Sequence, residues 1–181
     1  MYTRRAIYLV AGLLLTCIAA LPVRSAQTSD TATKEAPPAV YVDKGVCPFE
    51  CCTYREWTVQ KPTTVLDRPN GHLIAHLSEN ERVTALTGEV ISKPIAAKAN
   101  DNIPDTPIKK GDTFYILDYY GEGAWGVWFH GNKLTIDEIY LTENPRSRFQ
   151  FHWWAKIRDS HGKIGWVLAG NNNFGNQDAC G

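Results

Sequence analysis

Residues 149–168, Phe-Gln-Phe-His-Trp-Trp-Ala-Lys-Ile-Arg-Asp-Ser-His-Gly-Lys-Ile-Gly-Trp-Val-Leu, constrain the fold more than any other part of the chain. Trp154, Lys156 and Arg158 alternate with Ala155 and Ile157, Ser160-His161-Gly162-Lys163 supplies turn chemistry, and Ile164, Trp166 and Leu168 alternate again. A period of two on both sides of a glycine-containing turn predicts an antiparallel hairpin. Its aromatic and β-branched side chains suit a pleated, half-buried surface.

The same pattern recurs upstream. Strands are predicted at residues 56–59, 63–66, 72–77 and 82–90, with turns at 67–71 and 78–81. A second group spans 113–119 and 125–130, punctuated by Gly121-Glu122-Gly123 and Gly131-Asn132, and 139–141 reads as a further short strand. No stretch after Tyr41 keeps helical periodicity for three turns, and 134–140 offers one helical turn at most. About eight short strands separated by turn signals predict an all-β barrel or sandwich. Residues 92–108 are rich in Pro, Ala, Asn, Asp and Lys and lack aromatics, so a loop of about 17 residues is expected there, long enough to mark an insertion or a boundary.

The chain begins with Arg4-Arg5, an apolar run from Ala6 to Leu21, and Pro22-Val23-Arg24-Ser25. This is the pattern of a secretory signal over residues 1–25, and its apolar run of 16 residues falls short of the roughly 20 that a bilayer-spanning helix needs. Lipidation at Cys17 is disfavoured by Thr16 before it and the apolar run after it. No stable membrane anchor is expected after cleavage, and residues 26–40, without an aromatic side chain, predict a disordered spacer. The 19 Lys and Arg include Arg4, Arg5 and Arg24, so beyond residue 25 there are 16 bases against 19 acids, a net charge of −3. That balance carries no footprint for nucleic acid.

Four cysteines follow the signal: Cys47, Cys51, Cys52 and Cys180. An even number in an exported chain predicts disulfides rather than a metal site. Neighbours such as Cys51 and Cys52 seldom bond to each other, so one of the three reaches Cys180 and ties the start of the domain to its end. Cys47–Cys52 with Cys51–Cys180 is the preferred pairing; a Cys52–Cys180 bridge is left open. His72 and His76 share a strand face but sit about 13 Å apart, at about 3.3 Å per residue, too far for one ion.

Thr64-Val-Leu-Asp-Arg-Pro-Asn-Gly71, His72-Leu-Ile-Ala-His-Leu-Ser-Glu-Asn-Glu-Arg-Val-Thr-Ala-Leu86 and Trp154-Ala-Lys-Ile-Arg-Asp-Ser-His-Gly-Lys-Ile-Gly-Trp-Val167 together resemble a bacterial SH3-like domain. The order of a Pro/Gly turn, a "Val-Thr-Ala-Leu" strand and a hairpin closing on "Gly-Trp-Val" is similar. The resemblance covers residues 57–90 and 149–169, and some sixty residues part the two blocks where family members have a few. It implies an SH3-like domain over 41–181 with an insertion at 91–148: either an SH3-like barrel with a long inserted β-hairpin, or two merged small β-barrels. One core shared by Trp125, Trp128 and Trp153 is the expected form.

The resemblance also implies a non-catalytic binding domain, periplasmic or secreted, whose partner is a cell-wall peptide of peptidoglycan or another envelope protein. Eighteen aromatics follow the signal, and most must fill the core. Trp128 and Trp166 are assigned there. Trp125, beside glycine turns, and Trp153, one of an adjacent pair, are expected to face outward. With Tyr119, Tyr120 and Glu122 they form the candidate ligand site, where Asp118 and Glu122 suit an amino group. No cofactor or metal is expected, and no nucleophile elbow, phosphate loop or zinc-protease motif occurs. An envelope inhibitor or scaffold acting through residues 92–108 is the alternative reading, and a small hydrolase using Asp118 and Glu122 the least supported.

Overall fold

The computed structural model describes residues 36–170 and 172–180; the predicted signal and most of the predicted spacer lie outside them. The strands are β1 (Tyr41–Lys44), β2 (Glu56–Val59), β3 (Thr63–Leu66), β4 (Leu73–Leu77), β5 (Arg82–Ser92), β6 (Ile95–Lys98), β7 (Thr113–Gly121), β8 (Ala124–Phe129), β9 (Asn132–Asp137), β10 (Phe151–Arg158), β11 (Ile164–Leu168) and β12 (Phe174–Gly175). Two single 3-10 turns, Glu138–Tyr140 and Pro145–Ser147, are the helical structure among the described residues. The protein is all-β.

Eight strands form one curled sheet in the order β12-β2-β5-β10-β11-β3-β4, with β1 also on β5, and β6-β7-β8-β9 form a second sheet. The 91–148 insertion is therefore a four-stranded meander rather than a hairpin, and it has its own core. Trp57, Val59, Val83, Val90, Trp153, Ile157 and Phe174 pack in the first core. Phe114, Ile116, Trp125, Val127, Phe129 and Phe149 pack in the second. The expected single core of Trp125, Trp128 and Trp153 is thus corrected. Trp125, Val127 and Phe129 share one face by alternation and are buried, which turns Trp128 to the other face, half-buried. Trp166 is half-buried as well.

Strand β5 is the hub. It pairs with β10 along one edge, and with β2 and then β1 along the other. Opposite the Lys156/Ile157 step its register shifts. Val83 and Ala85 face the core before the shift; Gly88, Val90 and Ser92 are buried after it. One extra residue on one strand exchanges the parity that faces inward. Gly88 is required there, since a Cβ would lie 2.0 Å from Tyr54 Oη and 2.8 Å from the Trp154 carbonyl.

Two-residue turns close β7–β8 and β8–β9. Glu122 and Gly123 have φ +47° and +83°, His130 and Gly131 +45° and +84°. Positive φ at both central positions matches the twist of a hairpin. In the longer β10–β11 turn, Asp159 accepts from the backbone N–H groups of His161 at 2.9 Å and Lys163 at 2.8 Å. The predicted loop at 92–108 is corrected: Ile95–Lys98 is strand β6 on β7, and Ile103 and Ile108 are core residues. Two alanines and a lysine carry little strand preference, so pairing with β7 decides the conformation. In place of a strand at 139–141, Glu138–Tyr140 form a 3-10 turn, its Ile139 N–H capped by the Asp137 carboxylate at 3.0 Å, and Leu141 alone makes an isolated bridge to Ala99.

The cysteines pair as Cys47–Cys52 and Cys51–Cys180, across 5 and 129 residues. The long bridge lies beside a backbone ladder in which Thr53 N–H donates to Gln177 and Ala179 N–H to Cys51, so the two ends of the domain meet. Two disulfides are the covalent form of an oxidising compartment. No helix among the described residues is long and apolar enough to cross a membrane.

Candidate ligand-binding grooves

The Cys47–Cys52 bridge closes a short ring that carries Pro48 and Phe49 on its outer side. A chain segment held so tightly by sulfur has little freedom to fold an apolar side chain inward, and Phe49 stays 37 % exposed. It stands edge-on to Trp153, ring centroids 5.7 Å apart at 81°. Trp153 is 5 % exposed, its indole packed at 5.7 Å on Trp57, and its Nε1–H donates to Tyr54 Oη at 3.0 Å. Phe151, two residues earlier on β10, is 41 % exposed. Phe49, Phe151 and Leu168, with Asn172 and Gln177 opposite, wall an open groove of about 530 Å³ whose floor includes Trp153. Apolar walls supply adhesion and the amides supply direction, as in other ligand sites.

A second constellation lies where β1 meets the inserted sheet. Asp118 of β7 is 3 % exposed. One carboxyl oxygen accepts the Tyr119 N–H at 2.8 Å, and the group shares a side-chain hydrogen bond with Asp43 of β1. Burial, opposed by the Tyr119 bond and reinforced by the neighbouring Asp43, pushes its pKa up to about 7. Lys133 of β9 reaches Asp43 at 3.0 Å, contacts Tyr41 Oη, and sits 5.4 Å from the Tyr120 ring centroid. Burial pulls the Lys133 ammonium down, but hydrogen bonds to Tyr120, Tyr41 and Asp43 together outweigh it and push its pKa up. Burial likewise drives Tyr41 to about 12. Asp43, Asp118 and Lys133 do not line the aromatic groove. The cluster joins β1 to β7 and β9, and Ser92 Oγ adds a bond from β5 to the Leu117 carbonyl at 2.5 Å.

The five residues predicted as one ligand site do not share one exposed surface: four lie on the β7–β8 hairpin and Trp153 lies on β10. Trp125 is 1 % exposed, stacked on Tyr119 at 4.7 Å and edge-on to Phe149 at 5.5 Å. Tyr119 is half-buried and its hydroxyl accepts from Arg146 Nη2 at 2.6 Å, with the guanidinium 4.5 Å from the ring centroid. Tyr120 faces Lys133, and Glu122 is exposed on the β7–β8 turn without a side-chain partner among the described residues. The outward placement of Trp125 and Trp153 is overturned: each lies on the inward parity of its strand. Trp154 is buried too, on the opposite face of β10. Of the five, Trp153 alone lines the aromatic groove. Phe49, Phe151, Leu168 and Gln177 were missed, though an aromatic inside a five-residue cysteine spacing was a readable sign for Phe49.

Comparison of the chain with protein-family models, with curated proteins and with solved structures returned no match.

Proposed function

We propose that the protein is an exported, non-catalytic binding module that holds an extended peptide in the groove between Phe49 and Phe151. Its ligand is a cell-envelope peptide, with the stem peptides of peptidoglycan the first candidate through the SH3-like resemblance, and its place is the periplasm or the cell exterior, after removal of residues 1–25. The observation that carries the reading is the pair of exposed phenylalanines flanking Trp153. Both are large apolar groups left partly in water at one concave site, and the 37 % and 41 % still exposed leave roughly 60–100 Å² of each for a ligand to cover. The groove rests on β10, on a disulfide ring and on the Trp153–Tyr54 hydrogen bond, so its walls are set before a ligand arrives.

The two other readings fit the geometry less well. Residues 92–108 are tied down by β6, Ile103 and Ile108, which leaves them a framework role. Asp118, the acid with the most shifted pKa among the carboxyl groups, is committed to Tyr119 and Asp43 out of contact with the grooves. A general acid must reach a substrate proton, and this one is enclosed.

Retention on purified cell-wall sacculi is the test. The exported protein is expected to co-sediment above a control protein of similar size, and Phe49→Ala with Phe151→Ala is expected to lose at least tenfold in affinity while its circular dichroism is unchanged. Equal retention of protein and control, or a double variant that binds like the parent, refutes the reading.

A further inference from the structure

On the other side of the β10 entry lies a second cleft, of about 480 Å³, with His152 common to both. Its polar lining is Asn70 from the β3–β4 turn, the buried Ser92, Lys93 from the link between the sheets, Arg148, Gln150 and His152. Every ionisable group among the lining residues is of the basic type, although the chain beyond residue 25 carries more acids than bases. Asn70, Lys93, Gln150 and His152 have no side-chain partner among the described residues. Arg148 is held by Glu143 alone, at 3.6 Å, a pair that is 53 % and 75 % exposed. Such a pair is worth little and yields readily to a better acceptor. The remaining lining is mostly aliphatic, including Ile91 and Ile95.

We infer that this cleft is an anion subsite that takes the terminal carboxylate of the peptide whose body lies along the aromatic groove. The inference rests on the peptide-binding reading for the ligand's identity. Lys93, which has no partner among the described residues, and Arg148, held by the exposed Glu143 alone, stand with amide donors at one concavity that no acid lines, which is the donor set a carboxylate demands. The aliphatic floor suits the small apolar side chain next to such a terminus, where a bare phosphate has nothing to place. Because His152 borders both spaces, a chain in extended conformation at about 3.3 Å per residue passes from one to the other within two or three residues.

Titration calorimetry with a synthetic stem pentapeptide, as the free acid and as the C-terminal carboxamide, tests the subsite on the exported protein with its disulfides formed. The acid is expected to bind at least tenfold more tightly at low salt, with the difference shrinking as salt rises. Lys93→Gln with Arg148→Gln is expected to erase that difference and leave carboxamide binding unchanged. Equal affinity for acid and carboxamide, or a preference that survives in the double variant, overturns the inference. N-acetyl-alanine, followed by amide chemical shifts, separates this failure from that of the groove. Shifts at Lys93, Gln150 and His152 without pentapeptide binding uphold the anion subsite and remove the peptide reading. No shift at these amides overturns the subsite whatever the groove binds.

Discussion

Replacing Asp118 by Asn is expected to flatten the dependence of stability on pH. In the folded protein the Asp118 carboxyl titrates at about 7, raised first by burial and then by Asp43; in the unfolded chain an aspartate titrates at about 3.9. Between these values the native state holds a proton that the unfolded state has released, so stability decreases as pH rises. The contribution is whole below about pH 4 and gone by about pH 7. Three units at about 1.4 kcal/mol each make a loss of about 4 kcal/mol. The other resolved shifts act elsewhere: Lys133, Arg146, Tyr41, Tyr54 and Tyr120 are raised, so what they contribute is lost only above about pH 10, and Asp67 is lowered, so its contribution is lost in acid below its ordinary range. Asparagine keeps the acceptor for Tyr119 N–H and offers Asp43 an amide donor in place of the acid proton. Urea unfolding from pH 4 to pH 8 is the assay. With a slope of about 2 kcal/mol per molar, the parent midpoint is expected to fall by about 2 M across the range, while Asp118→Asn stays level and exceeds the parent at pH 8. A parent midpoint that rises or stays level with pH, or a variant that keeps the parent's slope, refutes the reasoning.

The two disulfides separate stability from binding. Loop-closure entropy assigns about 5 kcal/mol to the 129-residue bridge and about 2 kcal/mol to the 5-residue bridge, so Cys51→Ser with Cys180→Ser is expected to shift the urea midpoint more than Cys47→Ser with Cys52→Ser. The latter pair is expected to cost more in sacculus retention, since Phe49 loses its anchor. Gly88→Ala places a methyl 2.0 Å from Tyr54 Oη and 2.9 Å from Trp153 Nε1; overpacking of this kind costs about 1–3 kcal/mol, measured by urea unfolding, and tryptophan emission is expected to change in the native baseline as the Trp153–Tyr54 bond breaks.

Strand existence was legible where local pattern and tertiary demand agree. The β2 and β3 limits and the β10–β11 hairpin follow from alternation and turn chemistry alone. Strands β1, β6, β9 and β12 were not legible, because short runs that mix one or two β formers with Asp, Asn, Lys, Ala or Gly become strands only when a neighbour supplies the ladder. The inward faces were harder still. Strict alternation through β5 puts Thr87 and Glu89 inside, whereas the shift opposite Lys156/Ile157 substitutes Gly88 and Val90, and no composition rule announces a bulge. The same difficulty misplaced Trp125 and Trp128, whose phase depends on which face of β8 meets the second core. Asp118 was singled out, but its partner Asp43 lies 75 positions away and enters only through the pairing of β1 with β5.

Both proposed subsites sit where the inserted sheet leaves and rejoins the first one, and the chain's connectivity explains why. β5 ends at Ser92, and Lys93 begins the crossing; residues 148–152 complete the return and start β10. At such a junction neither core can cover the backbone edges or the side chains near them, so Phe151 and Lys93 remain exposed although Trp153, two residues after the one, and Ser92, just before the other, are buried. The junction is nonetheless stiff, because Asp43, Asp118 and Lys133 fasten β1 to β7 and β9 and Ser92 fastens β5 to β7. An exposed surface on a stiff junction loses little conformational freedom on binding. The carboxyl cluster therefore acts on the ligand by holding the two walls of the β10 entry in register, and weakening it is expected to loosen both grooves together while removing no residue from either.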